Sequence, residues 1–516
     1  MKIYSIYKST AVAALMIISA PAVAQNNSPA AQEVLKEKQL WFHSKNAAGT
    51  AFDETRTYSN VNVGYDIVSG NFKRPQQGEK DKTLNISSEG FVDLGNAFVW
   101  GEFSFKHQNL TDAGYNASIA DPFRGMPYYV VDTNLSNWRN QFYHLKFRAA
   151  TPLFWNHVAF GMEGTYESSL SAKQRDVRTD TRCYKLELIP AVTYAINDQH
   201  RLGLAIEYTN TKEDPREDNV NIYYDQDYYT LYGLGMASHG IGSGYVLNYY
   251  GHRWGGSLEY NLNVDQWKLL IEGSYSKHVE NVDNSFSVPR KLGAINDKVL
   301  AVNAELRYEG DALTHIFDGG WQKRDIDGIQ YLNQRDNSSN HPSWVDLNHS
   351  IRSTYSTNTI HAHYGIMGNR GEEYDWRVDA SLNYVSSDDE YILPKSTKDS
   401  KNLFIDLEAK KNFKLGDKLN NRLLVDVNGG LRNANDGKYE YHGTHQDYPT
   451  IAMEAADEAY LTSDGWHVGG SLTYSQQLKE NQKLNVFLKA AFDYHKSKAD
   501  AFDKRSYASC TLGFNF

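Results

Sequence analysis

Two histidine pairs are the first residues whose spacing could hold a metal: His361 and His363 lie two apart, and His442 and His445 sit near Asp447. Two ligands do not make a site, and in a chain with 17 histidines such spacings arise readily, so no metal is expected. Serines and carboxylates near a histidine are scattered throughout without forming a nucleophile motif. The glycines at Gly233, Gly235, Gly240, Gly242 and Gly244 lack the strand-to-helix setting of a phosphate loop. Neither catalysis nor a cofactor is expected. A denser set is charged: Arg148, Glu163, Glu187, Glu207, Glu272, Arg307, Arg377 and Asp426 all alternate with apolar residues, as do Lys146, Glu259, Glu305 and Asp379. Opposed charges around one wet cavity can orient polar solutes. They can equally brace the wall through ion pairs or hold an inserted segment. The third set is aromatic: Tyr223, Tyr224, Tyr228 and Tyr229, with Tyr232, Tyr245, Tyr249 and Tyr250, crowd residues 210–250. Such rings could stack on sugars or bind a partner protein, although packing into the loop's own small core is the favoured reading.

The elements that carry these residues are strands. Leu484, Val486, Leu488, Ala490, Phe492 and Tyr494 share one face of an extended segment, and Asn485, Lys489, Asp493 and His495 share the other. Leu423, Val425, Val427 and Leu431 oppose Arg422, Asp426 and Arg432; Trp376, Val378, Ala380 and Leu382 oppose Arg377, Asp379 and Ser381. Similar segments of about ten residues recur from Val61 onwards, the length a tilted strand needs to cross a bilayer. Short polar turns are expected at Leu94-Gly95-Asn96, Asn197-Asp198, Asn263 to Gln266, Glu309-Gly310-Asp311, Leu415-Gly416-Asp417 and Leu478 to Gln482. Longer loops are expected near 69–82, 107–140, 168–181, 210–250, 280–297, 324–355, 386–400, 432–464 and 496–504. Nine such loops imply about 18 strands; 16 is the alternative, because 84–92, 313–323 and 344–358 are poorly patterned. Tyr166, Tyr208, Tyr275, Tyr384 and Tyr494 fall at one end of the apolar faces, and Tyr194, Tyr308 and Tyr474 at the other. Two aromatic girdles follow.

Both termini fit. Lys2 and Lys8, the apolar stretch Ala11 to Ala20 and the small residues Ala22-Val23-Ala24 read as a secretory leader over 1–24, cleaved near Ala24. Residues 25–52 form an N-terminal segment of helix-forming composition, and 53–516 the strand-rich domain. At the other end Ala508, Cys510, Leu512, Phe514 and Phe516 share a face of the last strand. No later apolar run reaches the length of a membrane helix, and a mean hydropathy of -0.61 is compatible with alternating faces that average out. The net charge of -10 argues against nucleic-acid binding. Cys183 and Cys510 are expected to be two small strand residues rather than a disulfide.

Together these features resemble bacterial outer-membrane β-barrels, and the leader and loops resemble those of Bacteroidota barrels. The resemblance implies an all-β, antiparallel up-and-down transmembrane barrel whose Leu512, Phe514 and Phe516 are read by the barrel-insertion machinery. It also implies that the eight charged residues named first line a lumen. The N-terminal segment is too short for the globular plug of TonB-dependent receptors, whose barrels have about 22 strands. Its Asn46-Ala47-Ala48-Gly49 sequence resembles the N-terminal hatch of fatty-acid transporters, which implies a small plug in the lumen; a periplasmic helix covering the mouth is the alternative. The leading functional expectation is a channel or uptake component for a small solute. The alternative is a non-conducting barrel whose loops, with Tyr223, Tyr224, Tyr228 and Tyr229, hold a surface lipoprotein, a TonB-dependent receptor or a secreted partner. Membrane lipids are the remaining expected partner.

Overall fold

The computed structural model describes residues 27–54, 56–242, 245–284, 288–338, 343–416, 419–479 and 484–516. The leader at 1–24 lies outside these residues, as do parts of the turns expected at 415–417 and 478–482. Alternation of apolar and polar side chains produces strands that hydrogen-bond to their neighbours in chain order. The first nine are β1 Tyr58–Gly70, β2 Lys80–Asp93, β3 Phe98–Ala113, β4 Ser136–Ala150, β5 Val158–Lys173, β6 Arg178–Ala195, β7 His200–Asp214, β8 Leu247–Val264 and β9 Trp267–Asn284. The second nine are β10 Arg290–Glu309, β11 Leu313–Asp336, β12 Ser343–Arg370, β13 Glu373–Tyr391, β14 Ser396–Gly416, β15 Asn421–Glu440, β16 Gly465–Gln477, β17 Asn485–Ser497 and β18 Lys504–Asn515.

These strands form one antiparallel sheet of 18 that closes on itself, which removes its edges. The seam runs from Asn60 opposite Asn515 to Gly70 opposite Arg505. Phe516 extends it: its N–H donates to the Ser59 carbonyl at 2.8 Å, and its own carbonyl accepts from the Ser59 N–H at 3.3 Å. Outside the barrel, Leu145, Phe160, Ile206, Leu258, Leu300, Ile360, Leu407, Leu472, Phe492 and Leu512 are all exposed. A water-facing monomer does not carry such a continuous belt, whereas a barrel in lipid must. Aromatic rings meet along its margins. Tyr208 lies 4.5 Å from Trp254, and Trp466 lies 5.8 Å from Tyr494, toward the loop end. Trp267 lies 4.9 Å from Tyr308, and Phe317 lies 4.7 Å from Tyr364, toward the turn end.

Some loop boundaries differ from expectation. Segments 84–92, 313–323 and 344–358 are paired strand, so the 16-strand alternative fails. Much of 280–297, 324–355 and 386–400 is also strand rather than loop, with β11 reaching 24 residues and β12 28. Beyond the apolar belt both faces of a hairpin meet water, so the hydrophobic period vanishes while the backbone ladder continues. Cys183 and Cys510 are both free thiols, on strands that are not neighbours.

Candidate lumen site

Inside the barrel lies the chain's own N-terminal segment. The Ser28 side chain caps helix α1, Pro29–Glu37, by accepting the Ala31 N–H, and Pro29 occupies its first turn, where no N–H is needed. Two short 3₁₀ turns follow, Leu40–His43 and Ala47–Phe52. The Asn46 side chain caps the second, accepting the Ala48 N–H at 3.0 Å. Trp41 is fully buried, and its backbone N–H donates to Asp53 at 3.2 Å. The segment therefore folds locally, and many of its charged and backbone groups find partners on the barrel wall, whereas the buried Gln39 side-chain amide and Trp41 Nε1 make no hydrogen bond among the described residues.

Five of the eight charged residues singled out in the sequence touch it. Arg148, 2% exposed, donates to the carbonyls of Phe42 and Ser44 at 2.8 Å each. Glu207 accepts from Lys45 Nζ at 2.6 Å, and Glu272 from the Lys45 backbone N–H at 2.8 Å. Arg307 lies 3.3 Å from His43 Nδ1, which is 2.8 Å from Glu305. Arg377 donates to Glu37 at 3.0 Å while its fork also holds Asp379. A sixth, Glu163, acts at one remove by pairing with Arg148 at 3.0 Å and Lys146 at 2.9 Å. Glu187 and Asp426 stand apart: Glu187 accepts from Thr209, and Asp426 from Ser471. Further contacts complete the ring, with Lys36 on Glu89 at 2.6 Å, Tyr374 on Glu33 at 2.7 Å and Asn46 on Glu259 at 2.9 Å. On β5, a Cβ at Gly161 would lie 2.6 Å from the Ala48 Cα, so only glycine lets the segment approach so closely.

The loop end is covered too. Val130–Val131 joins a hairpin of Gln226–Gly233 and Met236–Gly242 in a small sheet, and helix α2, Pro449–Leu461, packs beside it. Val130, Leu231, Tyr249 and Met453 share its buried core. The helix is tied down at several points. Arg74 donates to both oxygens of Asp457 at 2.6 and 2.7 Å, and Lys398 donates to Asp457 at 2.6 Å and Glu454 at 2.7 Å. Arg432 donates to the carbonyls of Tyr460 and Leu461 at the helix C-terminus, where positive charge is favoured. Burial alone would push the Asp457 carboxyl up, but Arg74 and Lys398 hold it below the usual range. The loop tyrosines divide. Tyr228 and Tyr229 pack against the cover's core, Tyr229 lying 5.2 Å from Tyr448, whereas Tyr223 and Tyr224 point to solvent.

Inside the barrel the strands from β3 to β11, with Asp121 and Arg124 of the loop before β4, line a chamber of about 810 Å³. Arg124 descends into it from the loop before β4 and pairs with Glu213 at 3.0 Å and Glu280 at 2.6 Å. Arg324 donates twice to Asp297 at 3.0 Å and once to the Arg124 carbonyl at 2.8 Å. None of these five was singled out in the sequence, although each strand residue among them keeps the inward parity of its strand. Of the histidines noted for their spacing, His361 is 3.3 Å from Asp318 and His363 is 2.9 Å from Asp379, while His445 stacks on Tyr448 at 4.4 Å.

A closed sheet with an apolar belt outside and a charged, occupied interior defines an integral β-barrel membrane protein. Residues 47–516 match the model of a family of unknown function, DUF6850, and the chain belongs to that family. No curated protein matches it. Among solved structures it is similar to the ferric preacinetobactin receptor BauA from Acinetobacter baumannii, at 10% identity and a TM-score of 0.42 over 89% of this chain and 80% of that one. It is also similar to the FrpB iron transporter from Neisseria meningitidis, at 10% identity and a TM-score of 0.39 over 94% of this chain and 83% of that one.

Proposed function

We propose that this chain is a Gram-negative outer-membrane uptake barrel that its own N-terminal segment holds shut at rest and that passes a small polar solute when that segment moves. The leader, of Bacteroidota style, is removed near Ala24, and Leu512, Phe514 and Phe516 hand the barrel to the insertion machinery. The reading rests on the ring of wall contacts to residues 28–46, made by charged side chains that a permanently sealed wall has no need to spend on a separate segment. Charged partners separate into water far more readily than an apolar core does, so the closure is reversible. Planar-bilayer recording tests it. The full mature chain should be nearly silent, and deletion of residues 27–54 should produce discrete conductance steps. Silence from that deletion, and also from a chain lacking residues 449–461 as well, would falsify the reading.

A second reading, a non-conducting barrel that holds a surface lipoprotein, receptor or secreted protein, draws on one feature. At the tip of the loop between β7 and β8, Ile222 is 80% and Tyr223 92% exposed, next to Tyr224. On this reading Ile222→Ser with Tyr223→Ser abolishes co-purification of a surface partner, and the 27–54 deletion stays silent.

A further inference from the structure

The chamber's charges are unevenly engaged. Most of its acids are taken: Glu213 accepts the Ala120 N–H at 2.6 Å besides pairing with Arg124, Asp297 is held by Arg324, and Glu167 lies 3.2 Å from His144. Of its cations, Lys106 is unengaged, and Arg253 and Lys185 are paired only loosely. Among the described residues Lys106 makes no hydrogen bond or ion pair, and Arg253 makes no hydrogen bond, its nearest carboxylate oxygens being 3.5 Å away on Asp297 and 3.9 Å away on Glu207. Lys185 comes no closer than 3.5 Å to a carboxylate oxygen, that of Glu187. A lysine has three donors and a guanidinium five, and those not directed at these carboxylates remain for acceptor oxygens that a ligand brings. Glu102 is the lining acid without a partner among the described residues. It shares the inward face of β3 with Lys106 at a distance of roughly 13 Å along the strand, and can accept only from a donor such as a hydroxyl. A smaller cavity of about 370 Å³ shares Gln108, Asp121 and Phe142 with the chamber and reaches Gln76 and Gln77 in the loop between β1 and β2.

We propose that the chamber binds a small hydroxylated anion, a carboxylate or a phosphate, which arrives from the loop end through the smaller cavity. The proposal names the solute class of the uptake reading and rests on that reading for its purpose, but binding is measured without current, so each can fail alone. Titration calorimetry on the full mature protein in detergent at low ionic strength, with glucose 6-phosphate and gluconate as probes and glucose as the neutral control, provides the test. At least one anion should bind, and glucose should bind at least tenfold more weakly. Lys106→Gln, which breaks no existing contact, and Arg253→Gln should weaken anion binding by about tenfold or more, as loss of a charge-assisted hydrogen bond does. Binding of one anion alone tells carboxylate from phosphate. Equal binding of glucose, no binding of either anion, or unchanged affinity in both variants overturns the proposal.

Discussion

Arg148 shows how one side chain can hold a segment in place. Its guanidinium is buried, lies 4.8 Å from the Phe42 ring, and joins Glu163 to the carbonyls of Phe42 and Ser44. Arg148→Ala would leave Glu163 with Lys146 alone and the two carbonyls without their donor, a loss of about 1–3 kcal/mol for unsatisfied buried groups. Hydrogen exchange should then accelerate at the amides of residues 41–49 while the strands keep their protection, and the full chain should acquire intermittent conductance. Arg148→Lys keeps the charge but loses the planar fork and should fall between. Unaltered exchange in both variants would mean that Arg148 does not secure the segment. That Arg148 faces the lumen was legible from its parity alone. What it holds was not, because Phe42 lies 106 residues earlier in a stretch whose 3₁₀ turns carry no hydrophobic period.

Helix α2 depends on an electrostatic tie. Because the Asp457 carboxyl is held below its ordinary value, its contribution is complete above the unfolded value near about pH 4 and is lost as pH falls through the lower folded one. Limited proteolysis should therefore leave residues 449–461 intact at neutral pH and cut them in strong acid, before the strands unfold. Asp457→Asn should be cut at neutral pH as well; resistance equal to that of the parent chain would count against the tie. The elements themselves were only partly legible in the sequence. Alternation marks strands where lipid lies on one side, as in Trp376 to Tyr384, and fails where β11 and β12 run on into water. The cover was less legible still, since Tyr228 and Tyr229 find their packing partners among residues of other loops.

For the whole molecule, closure rests on the last strand. Removing Phe516 deletes both of its hydrogen bonds to Ser59, and the expected outcome is a chain that reaches the periplasm but yields little heat-modifiable barrel on gels. A normal yield of folded barrel would show that the final residue is dispensable. The barrel and its inward charges could be read from the chain because each strand pairs with its neighbours in sequence; the occupied interior could not, because its contacts join residues hundreds of positions apart. The seam joins these two kinds of contact at one place. Asn515 donates to the carbonyl of Asn27 at 3.1 Å, so a residue of the closing strand also grips the inner segment beside helix α1. Losing the strand segment that carries Asn515 thus costs the barrel both its finished wall and this hold on its stopper, and a closed cylinder and a fastened interior are completed by the same few residues.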